Sequence, residues 1–333
     1  MAAVPMVEVW RGGLLEGVHT GHAIVLHADG DVIAAWGDPA TVIFPRSSCK
    51  MIQALPLVES GAAGAAGLTD AQLALACASH SGAAVHTRMA RDWLAGLGLG
   101  DDDLRCGAHM PLDQTVRDQM IRAGEAPCQV HNNCSGKHCG FLTLAGRIGG
   151  GPEYVEPGHP VQAAVRAATE EVTGETVAGW GIDGCSAPNF AVTLHGLARA
   201  MAGFASASGR GGTRAAAMAR LVRAMTAYPH LVAGEGRACT ELMRATGGRA
   251  ALKTGAEAVY VAMLPEREIG IALKVMDGAS RASEAAITGL LVWLGLLDPG
   301  HPAVGRFLTG PQRNWRGLVT GNLRLASGFA GQP

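Results

Sequence analysis

Neither sign of charge is in excess: 27 Lys and Arg stand against 28 Asp and Glu, for a net charge of −1. With no basic surplus and no long run of one sign, neither a nucleic-acid groove nor an anionic membrane surface is an expected partner. Long apolar runs are lacking too. The most apolar stretch late in the chain, Leu290 to Leu297, is far too short to span a bilayer. The N-terminal MAAVPMVEVWRGG shows no basic segment followed by an apolar one, so no signal peptide is read there and a cytoplasmic protein is expected. No two cysteines form a CxxC pair, no GxGxxG follows an expected strand, and no GxxxxGK[ST] occurs. A finger-type zinc site and a nucleotide phosphate cradle are thereby excluded.

What is present is ordinary globular material: 333 residues, 48% hydrophobic and 17% charged, enough for a real core. The eight cysteines are scattered through the chain. In a reducing compartment they read as buried small residues, metal ligands or reactive thiols, not as a disulfide framework.

Strand-like segments cluster at the two ends. Ala23 to Leu26 and Val32 to Trp36 flank Asp29-Gly30, a hairpin signal. Ala250 to Lys253, Val259 to Leu264 and Ile269 to Val275 follow late in the chain, and an apolar helix is expected over Arg281 to Leu296. Pro45-Arg46-Ser47-Ser48 opens a helix running to about Val58, and residues 70 to 245 read as mostly helical, with clear periodicity in 70–78, 86–96, 160–172 and 212–227. The expected fold is α/β of the α+β kind. One antiparallel sheet is built from N- and C-terminal strands, with helices on its faces and a largely helical middle. As a single domain of residues 1–333, it would comprise a sheet part (about 1–60 and 248–333) and a helical part (about 61–247).

Two constellations carry chemistry. In Ser47-Ser48-Cys49-Lys50, Ser47 and Lys50 stand three apart at a helix start, so one face presents both. A lysine with a lowered pKa can take the proton of a serine hydroxyl, and a helix N-terminus supplies N–H groups for an oxyanion. Taken alone, SxxK is more commonly an N-capping serine with a solvated lysine. It is accompanied by Ser79-His80-Ser81-Gly82 and by Lys253-Thr254-Gly255 on an expected strand, the order used by penicillin-recognising serine hydrolases. Arg46 beside the serine is suited to gripping a carboxylate; an ordinary ion pair is its plain alternative.

The second is His131-Asn132-Asn133-Cys134-Ser135-Gly136-Lys137-His138-Cys139, with Asp183-Gly184-Cys185 further on. These residue types bind metals or hydrogen-bond substrates. By spacing alone, Cys134 and Cys185 read either as ligands with a nitrogen donor or, more commonly, as buried structural cysteines. His19, His22, His86 and His109 are expected at the surface or on loop carbonyls.

These strings together resemble the asparaginase II family of bacteria and fungi. The likeness runs through VEVWRGG (Val7), RSSCKMIQ (Arg46), ASHSG (Ala78), HNNCSGKHCGFL (His131), DGCSAP (Asp183), LKTGAEAVY (Leu252) and IALKVMDGASRA (Ile271), about four-fifths of the chain. It implies hydrolysis of L-asparagine to L-aspartate and ammonia, on a serine β-lactamase-like fold, by a homodimer. It implies two catalytic pairs, Ser47 with Lys50 and Ser79 with Lys253. Arg46, His80, His131, Asn132 and Asn133 would contact substrate. Cys134, Lys137 and Cys185 would hold Zn2+, with Asp183 and His138 around them. A lysine ligand must be neutral, so such a site depends on pH. One departure stands out: an acidic residue is expected after Ser79-His80-Ser81-Gly82, and Ala83 and Ala84 follow instead. The readings set against this one are a β-lactamase or D,D-peptidase relative and a catalytically idle, zinc-stabilised binding homologue.

Overall fold

The computed structural model describes residues 1–331. The chain divides into two compact units. The first holds Met1–Ser48, Thr193–Ser206 and everything from Glu241 onward; the second holds Cys49–Val192 and Ala207–Thr240.

The first unit is built on one sheet. Its strands are β1 (Val4–Arg11), β2 (Leu14–His27), β3 (Val32–Trp36) and five later ones; the two-residue β4 (Val42–Ile43) is not among them. Numbered after β5 (Gly179–Ile182) and β6 (Pro188–Thr193), the later five are β7 (Ala251–Gly255), β8 (Val259–Leu264), β9 (Ile269–Val275), β10 (Gln312–Arg313) and β11 (Val319–Leu325). The order is β10-β11-β1-β2-β9-β8-β7, with β3 also paired to β2, and the pairings are antiparallel. The N- and C-terminal strands therefore share a sheet, as expected. All six residues of β8 are buried, which requires cover on both faces and explains its unbroken apolar run VYVAML. The cover includes the helices Leu194–Ala205, packed on β9, β2 and β8, and Ser280–Trp293, packed on β1, β8, β9 and β11.

The expected hairpin at Asp29-Gly30 is the β2–β3 turn, where the Gly30 amide donates to His27 O at 3.0 Å with φ at +103°. The outer strands β1 and β11 and the first half of β2 lie outside the expected segments. Their sequences are broken by Pro5, Gly17 and Gly321 and by polar residues, and their extended state comes from their neighbours across the sheet. The middle is also less uniformly helical than its periodicity suggests. β5 and β6 form a hairpin, Gly179 opposite Ala191, with Pro188 at a strand start where no ladder N–H is needed. The helix Leu194–Ala205, expected with the helical part, belongs to the sheet unit.

In the second unit, Asp70–Ala76 is closed by a capping box. The Gln72 amide donates to Thr69 Oγ1 (3.3 Å) and the Thr69 amide to Gln72 Oε1 (3.0 Å). Such a cap is worth about 1 kcal/mol. It faces the helix Ser135–Ile148, whose first turn is buried throughout. Gly136 makes this approach feasible: a Cβ there would stand 2.3 Å from Leu75 O. The helix expected from Pro45 to Val58 is instead a 3₁₀ turn, Arg46–Cys49, followed by Lys50–Gln53 and Leu55–Glu59, with Pro56 in the first turn of the last piece.

Candidate active site

In the sheet unit, Arg46 enters the 3₁₀ turn with φ at +53°, a left-handed conformation that costs a non-glycine residue about 1–3 kcal/mol and often marks a functional turn. Ser48 is fully buried and its Oγ donates to Pro45 O at 2.7 Å; Ser47 is half-buried. The end of β7 presses on this turn. A Cβ on Gly255 would lie 2.5 Å from Pro45 O and 2.7 Å from Ser48 N, so Lys253-Thr254-Gly255 needs its glycine for backbone contact. Lys253 is fully buried on the same strand, its Nζ donating to Thr254 O at 2.8 Å.

In the helical unit, Lys50 is 1% exposed and its Nζ meets three groups: Ala78 O, Ser79 Oγ at 3.0 Å and Cys134 Sγ at 3.0 Å. Lys50, expected to serve Ser47, is thus bonded to Ser79. Ser79 is itself fixed by its amide, which donates to Val232 O at 2.9 Å. The lysine head has three donors, and the carbonyl, the hydroxyl and the sulfur accept one each.

Beside this lies a second lysine–cysteine contact, Lys137 Nζ to Cys185 Sγ at 3.0 Å, with Lys137 buried over the Phe141 ring. Cys134 and Cys185 hydrogen-bond each other, and that bond is the first cause of their opposite shifts. Cys185 is held well below the ordinary thiol range, while Cys134 is pushed up to about 12, with burial adding to the rise. Burial works to lower Lys137, but the sulfurs of Cys185 and Cys134 prevail and raise it.

The polar string around this cluster is largely committed to holding it in place. Asn132 Nδ2 donates to Cys106 O (2.9 Å) and Gly107 O (3.0 Å), and its Oδ1 accepts the Cys134 amide (2.9 Å). Asn133 Oδ1 lies 3.0 Å from Cys134 Sγ. His131 Nδ1 accepts the Cys128 amide at 3.1 Å. Asp183 Oδ1 accepts the Gly184 amide at 2.7 Å, closing the turn that carries Cys185. His80 is fully buried. Ser135 Oγ donates to Val130 O (3.0 Å), so it accepts from His80 Nε2 (2.9 Å), while His80 Nδ1 accepts the Gly82 amide (3.1 Å). That pattern is a neutral imidazole, and burial first, then the stacked His86, keeps it so. His138 Nδ1 pairs with the Tyr154 hydroxyl at 2.8 Å.

Ser135, Val232 and Tyr154 are contributors that sequence reading missed. Ser135 stands inside the motif string, whereas nothing local marks Val232 or Tyr154. The histidine expectation is corrected in part. His109 does sit on a loop carbonyl, that of Met110, whereas His86 is buried against the carbonyl of His230 in the short helix Pro229–Val232. His19 and His22 are buried instead, His19 against Asp277 and His22 accepting the Asp38 amide, because β2 carries both between paired strands.

Among the described residues no three His, Cys, Asp or Glu side chains gather as a metal cluster; the expected set has only two such residues, with an amine as third donor. Chemically the set fits zinc. Two buried sulfurs, each with an amine at 3.0 Å, are soft donors that a metal would hold deprotonated, with the Lys137 amine as a nitrogen donor.

The class is that of a hydrolase, and it is the family that shows it. The family model described as L-asparaginase II matches residues 7–325, and the chain belongs to that family. No curated protein matches it in sequence. Among solved structures it is similar to Mglu, at 13% identity and a TM-score of 0.46, over 83% of this chain and 67% of that one. It is also similar to a β-lactamase from Mycobacterium bovis, at 15% identity and a TM-score of 0.47, over 83% and 95%. No helix among the described residues is long and apolar enough to cross a membrane.

Proposed function

We propose that this protein is an L-asparaginase, hydrolysing L-asparagine to L-aspartate and ammonia as a cytoplasmic homodimer. The observation that carries the reading is Lys50, buried and bonded to Ser79 Oγ at 3.0 Å, within a chain of the L-asparaginase II family. Ser47 is the proposed nucleophile toward the side-chain amide carbon, and Arg46 the grip on the α-carboxylate. Lysine accepts the serine proton and returns it to the departing nitrogen, so ammonia leaves and an aspartyl ester remains. Water then cleaves the ester by the reverse transfer. Ser79 with Lys50, and Lys253 with the KTG strand, supply the proton route. Cys134, Lys137 and Cys185 would hold zinc, which as a Lewis acid would orient a substrate carboxylate or amine.

The test is ammonia release by the purified protein from L-asparagine, with L-glutamine and nitrocefin run alongside. Release from asparagine that scales with enzyme and vanishes in Ser47→Ala supports the reading. Turnover of nitrocefin alone would replace it with β-lactam hydrolysis. Stabilisation by asparagine without turnover would mark an idle binding homologue.

A further inference from the structure

We infer that Gln129 is a positioning residue whose side chain, through the 101–107 loop, sets where Asn132, Asn133 and Cys134 stand. A carboxamide carries two N–H donors and one acceptor oxygen, and in Gln129 all of them are engaged. Nε2 donates to Asp101 O and to Leu104 O, each at 2.9 Å, and Oε1 accepts the Gly107 amide at 3.0 Å. Donors facing two carbonyls and an oxygen facing an N–H allow only one orientation of the group. The backbone is held beside it: Asp101 Oδ2 accepts the Gln129 amide (3.0 Å) and Oδ1 the Val130 amide (2.8 Å). Gly107 is exposed, with nothing within 4 Å of where a Cβ would stand, so hydrogen bonding and not packing fixes it.

The loop so held passes its place on to the motif string. Cys106 O and Gly107 O take both Asn132 Nδ2 protons, and Asn132 Oδ1 takes the Cys134 amide. Further along the loop, His109 Nδ1 donates to Met110 O (2.8 Å), which leaves Nε2 to accept the Asn133 amide at 2.9 Å. Asn133 O then accepts the His80 amide at 3.1 Å. A shift at Gly107 is thus carried to Asn132 and, through His109, to Asn133, because linked hydrogen bonds support one another. The Gln129 side chain bonds none of these three residues itself; it acts through Gly107. That the positioned run meets substrate rests on the hydrolase reading above; the relay of bonds does not. Lys50 keeps Ala78 O and Ser79 Oγ whatever the relay does, so the loss falls on substrate binding and not on the proton route.

The full chain carrying Gln129→Met, which keeps the side-chain length and loses the bonds, is compared with wild type by deuterium uptake of its peptides and by steady-state ammonia release. Uptake should rise in the peptides holding Gly107 and residues 132–134 and stay unchanged in the helix Thr213–Ala227, as local opening requires. KM for L-asparagine should rise about tenfold, with kcat within about threefold of wild type. Asp101→Asn, which keeps one of the two carboxylate acceptors, should move the same readouts the same way by less, and replaces Gln129→Met if that variant does not fold. Uptake that is unchanged, or that rises equally across the chain, would overturn the inference. So would a KM within about twofold of wild type, or a fall in kcat at constant KM. Ammonia release absent from wild type itself would remove the hydrolase reading, and the uptake pattern would then decide the relay on its own.

Discussion

At the scale of single residues, the proposed chemistry turns on the lysines. A buried lysine is expensive unless its amine is satisfied, and Lys50 meets Ala78 O, Ser79 Oγ and Cys134 Sγ. On the proposed mechanism, Ser47→Ala and Lys50→Ala should each lower kcat by about 10³ or more, as losses of coupled groups do; steady-state ammonia release measures this, and near-normal turnover in either would refute the assignment. On the proposed zinc site, Cys134→Ser and Cys185→Ser should each lose the metal and chiefly raise KM, as metal analysis beside kinetics would show. The histidines set a pH dependence. His80 and His86 are held below their ordinary range, by burial first, so the unfolded chain binds more protons once pH drops below about 6.5. Their contribution to stability is complete above that value and fades as pH falls through it. The denaturant midpoint should therefore be lower at pH 5 than at pH 7.5, and His86→Gln should narrow the difference. An unchanged gap would remove His86 from the account. Much of this scale was legible in the sequence. SxxK, KTG and HNNCSGKH named Lys50, Lys253, Cys134 and Lys137, but the bond from Lys50 to Ser79 was not written in any spacing.

At the scale of elements, close backbone approach matters more than propensity. The helix Ser135–Ile148 brings Cys134, Ser135 and Lys137 to the cluster only because Gly136 lies against the Leu75 carbonyl. Gly136→Ala should destabilise the chain by about 1–3 kcal/mol, the usual cost of overpacking, despite alanine's better helix propensity. A thermal or denaturant melt checks the sign, and a more stable variant would show that the contact is not limiting. Strands β2, β3, β7, β8 and β9 were readable because apolar runs and a turn signal coincide there. β1 and β11 were not, since Val7 and Leu325, or Trp10 and Asn322, are paired across the whole length of the chain, and no local window holds both.

At the scale of the molecule, the sequence by itself determined an apolar core, an antiparallel sheet made from both ends of the chain, and membership of an amidohydrolase family. Composition, period and motif strings are local quantities, and these conclusions depend on little else. Only the tertiary structure decided that Leu194–Ala205 belongs to the sheet unit. It also decided that the β5–β6 hairpin interrupts the helical middle, that Lys50 bonds Ser79 and Cys134, and that Lys137 bonds Cys185. Each of these joins residues far apart in the chain: Lys137 and Cys185 meet because the helix Ser135–Ile148 and the Asp183 turn deliver them to one place. Desolvation and mutual charge exist only once that meeting has occurred, so no local window of sequence carries them.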